Sequence, residues 1–171
     1  MGCDESVARP PKVVKHGQLK AVCVQFSPSF MEVRSSMAKA DALLEQVANE
    51  EMDLIVLPEM SFTGYCFKSR EEVLPFTETP QDIRSAIDNL DLNDDVPNTL
   101  KWALRTSKKF NSAWVVVGFP ERTLDDKFFN SAMIVNYALK ELHIVRKVLL
   151  FGDDKNWCDL ESSVSGIEYN Y

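Results

Sequence analysis

Residues 53–65 read DLIVLPEMSFTGY. Leu54 to Leu57 are apolar strand formers closed by Pro58, which predicts a short strand buried on both faces. A carboxylate, Glu59, follows that strand directly, in the company of Met60, Phe62 and Tyr65. Thr63-Gly64 then predicts a tight turn, because glycine accepts positive φ. In open α/β sheets, functional groups gather beyond the carboxyl ends of strands. Two readings of Glu59 stand. Its apolar neighbours would solvate the charge poorly and favour a proton-accepting role; alternatively, it caps the loop by accepting backbone N–H bonds.

Upstream, LKAVCVQF (19–26) predicts another strand buried on both faces, ended by Ser27-Pro28-Ser29. Val33, Met37, Ala40, Leu44 and Val47 recur at helical spacing, with Arg34, Lys39, Asp41, Glu45 and Gln46 turned outward. Strand, helix, strand with short joints is a βαβ unit and implies a parallel pair. Residues 58–96 are less regular and contain the acidic run DNLDLNDD at 88–95. Pro97 suits a first helical position. Leu100, Ala103, Leu104 and Phe110 mark the next helix, with Lys108 and Lys109 at the end the dipole favours. AWVVVGF (113–119) predicts a third buried strand, and SAMIVN (131–136) with ELHIVRKVLLF (141–151) a hairpin. The order describes one α/β sheet with helices on one face. The other face must meet another sheet or another chain.

The composition is globular: 171 residues, 45% hydrophobic and 26% charged, which excludes a disordered or disulfide-scaffold chain. Nineteen Lys+Arg against 26 Asp+Glu give −7, which argues against nucleic acid as a partner. Cys3, Cys23, Cys66 and Cys158 form no CxxC pair, so no metal is expected, and no cofactor motif appears. Free thiols and no apolar leader fit a cytoplasmic setting. Residues 1–17 read as a flexible lead-in and 18–171 as the folded part. Gly2 with Ser6 fits N-myristoylation and Cys3 could take palmitate, so a membrane partner follows only from acylation.

Lys147, in HIVRKVLLF, is the second charged candidate. Strand alternation groups it with Val145 and Leu149, an apolar setting that demands a partner carboxylate or a functional charge. The plainer reading puts it on a solvated face. His16 and His143 form no triad, one lying in the lead-in and the other in the hairpin.

DLIVLPEMSFTGY, WVVVGFPER, FFNSAMIVN and HIVRKVLL together resemble the nitrilase, or carbon–nitrogen hydrolase, superfamily. The segment TGYCFKSREEVLPF (63–76) is similar to the fungal-type branch that deamidates N-terminal Asn and Gln of proteins. The resemblance implies the N-terminal half of an αββα sandwich and a Glu–Lys–Cys triad. It makes Glu59 the general base and Lys147 the oxyanion stabiliser, with Glu161 and Tyr65 in supporting positions. It also implies a peptide or small amide as substrate and pairing into homo-oligomers.

The family's nucleophile lies well past the lysine in a Gly-x-x-x-Cys elbow, and residues 148–171 contain none. Cys158 has neither the glycine nor a preceding strand. Cys23 and Cys66 read as small buried hydrophobes. The expectation is therefore a partial hydrolase domain, ending before its nucleophile and inactive alone. A missing C-terminal half would then be its partner. The competing expectations are a piece that assembles with a second chain and a non-catalytic interaction module.

Overall fold

Parallel strands need a crossover, and the two periodic helices supply both. The computed structural model describes residues 18–79 and 98–161. Five strands form one sheet in the order β1-β2-β3-β4-β5: β1 Ala21–Cys23, β2 Leu54–Val56, β3 Trp114–Arg122, β4 Phe128–Asn136 and β5 Glu141–Arg146. Pairing is parallel from β1 to β3 and antiparallel from β3 to β5. Helix α1, Val33–Glu45, joins β1 to β2. A short α2, Arg70–Val73, runs into a 3₁₀ turn over Leu74–Phe76, and α3, Thr99–Lys109, precedes β3.

Asn98 caps α3 by accepting the Lys101 N–H at 2.9 Å. Lys108 and Lys109 occupy its last turn, where the helix dipole favours cations. The core lies between these helices and one sheet face. Met37, Ala40 and Leu44 of α1 and Leu100, Ala103 and Leu104 of α3 pack on Ile55, Val115, Val117, Met133 and Val135. Truncating a side chain as buried as Ile55 costs about 2–5 kcal/mol. Trp102 ties the two helices together through its Nε1–H, which donates to Asp41 at 2.8 Å.

The opposite face is apolar but only half covered. Leu54, Val56, Trp114, Val116, Ala132 and Ile134 are half-buried, and Ala21 and Cys23 are exposed. This corrects the expectation for 19–26: the strand spans three residues and its outward side chains, Ala21 and Cys23, are exposed. The apolar run reports that the face is sticky, not that the described residues cover it. Cys23 and Cys66 are accordingly exposed thiols rather than buried hydrophobes. The hairpin differs as well. β4 begins at Phe128, which brings Asn130 into the ladder, and β5 stops at Arg146, leaving Leu149 at 84% exposure. Lys147 thus lies just beyond the strand rather than inside it. The lead-in with Gly2, Cys3 and His16, the acidic run 88–95, Pro97 and the chain after Glu161 lie outside the described residues.

Candidate active site

Three chain segments converge at one end of the sheet. The first leaves β2. Leu57 N–H still bonds Val116 O at 2.9 Å, then the backbone turns sharply, with Met60 at φ +46°. That turn lies directly on β3, because Gly118 has no side chain. A Cβ there would stand 2.5 Å from Met60 N and 3.0 Å from Glu59 Cα. Ser61 N–H bonds Gly118 O at 3.1 Å and pins the turn. Gly64, at φ +71°, makes the tight turn read from the sequence.

The second segment is β4, which presents Asn130. The third follows β5: Lys147 N–H bonds Asn130 O at 2.8 Å, and a 3₁₀ turn over Gly152–Asn156 then carries Asp154. Lys147 Nζ donates to Glu59 Oε1 at 2.7 Å and to Asp154 Oδ2 at 2.7 Å. Asn130 Nδ2 donates to Glu59 Oε1 at 2.5 Å and to Asp154 Oδ1 at 3.1 Å. The Glu59 side chain is 49% exposed, Lys147 30% and Asp154 3%. Burial pulls the Lys147 ammonium toward neutrality, but its bonds to Asp154 and Glu59 outweigh that and hold it above the ordinary lysine range. Asp154 also accepts the Phe151 N–H at 3.2 Å, so this buried carboxylate has three donors.

A buried fork stands behind Lys147. Glu121, fully buried, accepts Arg146 Nε at 2.9 Å, Arg146 Nη2 at 2.5 Å and the Ser131 hydroxyl at 2.6 Å. The guanidinium lies 4.1 Å from the Phe129 ring centroid. Successive β4 residues thus serve opposite faces: Asn130 holds the site and Ser131 holds the fork. On the flank, Met60, Phe67, Val73, Phe128 and Trp157 form a second apolar cluster. Arg70–Asp159 and Lys68–Asp153, both 2.7 Å, strap the segment after Glu59 to the segment after Lys147.

The carboxylate that pairs with Lys147 from the segment after it is Asp154. Glu161 instead pairs with Arg146 Nη1 at 3.0 Å. Tyr65 is exposed at the surface of the loop. Cys158 is near enough to feel Asp154 and Lys147, yet burial first, and Asp154 second, push its thiol up to about 12. Such a thiol is almost wholly protonated near neutral pH and a poor nucleophile. Among the described residues no cluster of three His, Cys, Asp or Glu could hold a metal.

A carboxylate–ammonium pair lies beyond the carboxyl ends of two strands of an α/β sheet, and comparison with known proteins shows the family. The family described as Carbon-nitrogen hydrolase matches residues 20–165, and the chain belongs to it. Its fold is the N-terminal half of a nitrilase-type αββα sandwich. The chain is similar to the Protein N-terminal amidase of Saccharomyces cerevisiae, 27% identical over 154 residues, covering 88% of this chain and 30% of that protein. The Schizosaccharomyces pombe protein of the same name is 28% identical over 144 residues, covering 81% of this chain and 46% of its own length. Crystal structures of an N-terminal amidase with an Asn-Glu peptide and with a Gln-Gly peptide superpose at TM-scores of 0.68 and 0.67. Both are 26% identical, covering 84% of this chain and 31% of theirs. The chain therefore spans about a third to a half of the length of these relatives.

Proposed function

We propose that this chain supplies the general base and the oxyanion-stabilising cation of an amidase that converts N-terminal Asn or Gln of peptides to the acid with release of ammonia. The observation that carries the reading is the 2.7 Å pair of Glu59 and Lys147 at the exposed end of the sheet. Glu59 is half exposed, so a substrate can reach it, and Asp154 keeps Lys147 charged when Glu59 takes a proton. The choice of N-terminal Asn and Gln follows from the relatives' names and the peptides bound in their structures.

In the proposed chemistry a thiol gives its proton to Glu59 and attacks the carboxamide carbon. Lys147 faces the oxygen that becomes negative, where a fixed cation in a sheltered site acts most strongly. Glu59 returns the proton to the departing ammonia, a thioester remains, and water activated by Glu59 releases the acid. Burial holds the Cys158 thiol protonated, and on this reading the attacking thiol comes from outside the described residues. Chain 1–171 alone is expected to release no ammonia from an Asn-initiated peptide. Turnover by the isolated chain that Cys158→Ala abolishes would refute this placement of the nucleophile.

A further inference from the structure

Besides Lys147, Asn130 is the described side chain that bonds both carboxylates of the site. It is 4% exposed, and its amide nitrogen spends both hydrogens on acid oxygens, Glu59 Oε1 and Asp154 Oδ1. The reverse amide orientation would set its carbonyl oxygen against two carboxylates, so the acceptors dictate which end faces them. Its backbone oxygen takes the Lys147 N–H in addition. One residue therefore fixes three of the charged groups.

The geometry points to Asn130 as the positioning residue that divides Glu59 into an anchored oxygen and a working one. Oε1 receives both donors, Lys147 Nζ and Asn130 Nδ2, while Oε2 accepts no hydrogen bond from any described residue. The proton acceptor is Oε2. Without the amide, two like-charged carboxylates would compete for one ammonium. Glu59, being half exposed, would turn to water, and buried Asp154 would keep Lys147 alone. Asn130 makes the three-way arrangement stable with Oε1 turned inward and Oε2 turned out. This assignment rests on the amidase reading for its catalytic meaning, but its geometry can be tested without turnover.

The test is the pH profile of Lys147 acylation by acetic anhydride in chain 1–171, read by mass spectrometry and normalised to exposed Lys108 on α3. Folding is checked by circular dichroism and thermal melting. Asn130→Ala should shift the Lys147 midpoint to lower pH and raise its relative labelling at pH 8 by at least threefold, because Glu59 no longer holds the ammonium. Asn130→Asp keeps the shape but adds a negative charge, and should shift the midpoint to higher pH. If Asn130→Ala does not fold, Asn130→Asp decides. Profiles superimposable on the parent in folded variants overturn the assignment, as does an Asn130→Asp chain that cannot fold. A purely structural asparagine would change melting without moving the two midpoints in opposite directions. Failure here would leave the amidase reading intact, whereas active-site variants that keep full turnover would sink that reading and leave this result standing.

Discussion

Replacing Arg146 by Met keeps the aliphatic bulk and deletes the charge from the buried fork behind the site. Glu121 is fully buried and would retain only the Ser131 hydroxyl of its three contacts. Removing one partner of a buried ion pair costs about 3–5 kcal/mol, because the other charge is left without compensation. The arginine is 28% exposed, so the lower end applies, about 3 kcal/mol. A chain this size would then lose roughly 6–12 °C in melting temperature, at about 2–4 °C per kcal/mol. Urea denaturation at pH 7 measures the difference. Glu121→Leu combined with Arg146→Met should recover part of the loss. A single variant within about 1 kcal/mol of the parent at pH 7 would refute the assignment of the fork as a support of the strand end.

Gly118→Ala should destabilise the chain by about 1–3 kcal/mol, since its Cβ would stand 2.5 Å from Met60 N and force the Glu59 turn off β3; equilibrium unfolding measures it. Glu78 is half-buried with its carboxyl turned inward beside the first turn of α3; it accepts the Thr99 N–H at 2.7 Å, while its buried second oxygen has no partner. Burial raises its carboxyl above the ordinary 4.5, outweighing the bonds from Thr99. A raised carboxyl stabilises the fold below its unfolded value and loses that contribution as pH rises through the folded value. Glu78→Gln should therefore match the parent near pH 4 and exceed it progressively at higher pH. At pH 8, iodoacetamide should modify exposed Cys23 and Cys66 well before Cys158, whose thiol sits at about 12; comparable rates, read by peptide mapping, would contradict its burial.

Periodicity located the helices and the sheet because both have one strongly apolar side. Met37, Ala40 and Leu44 mark α1 as plainly as Leu100, Ala103 and Leu104 mark α3. Composition could not distinguish a strand covered twice from one covered once, so Ala21 and Cys23 were expected inside and stand outside. Glu59 was legible from its place after an apolar strand ended by proline. Strand alternation predicts an apolar face for Lys147, but β5 ends before it and Leu149 is in solvent. What shelters the lysine is polar, namely Glu59, Asp154 and Asn130. Asp154 lies in a 3₁₀ turn with no repeating pattern, and only folding brings it back to Lys147. Asn130 and Glu121 did carry a signal, as polar residues within apolar strands, the positions where an unpartnered group would be costly.

The most direct test of the account is ammonia release from an Asn-initiated peptide by the active hydrolase that carries this chain, compared among the parent, Glu59→Gln and Lys147→Ala. Loss of an oxyanion donor typically lowers turnover by about 10²–10³. The account predicts a fall of that order in kcat for Lys147→Ala and a comparable fall for Glu59→Gln, with KM little changed in either. Turnover within a few-fold of the parent in either variant would contradict the roles of the pair.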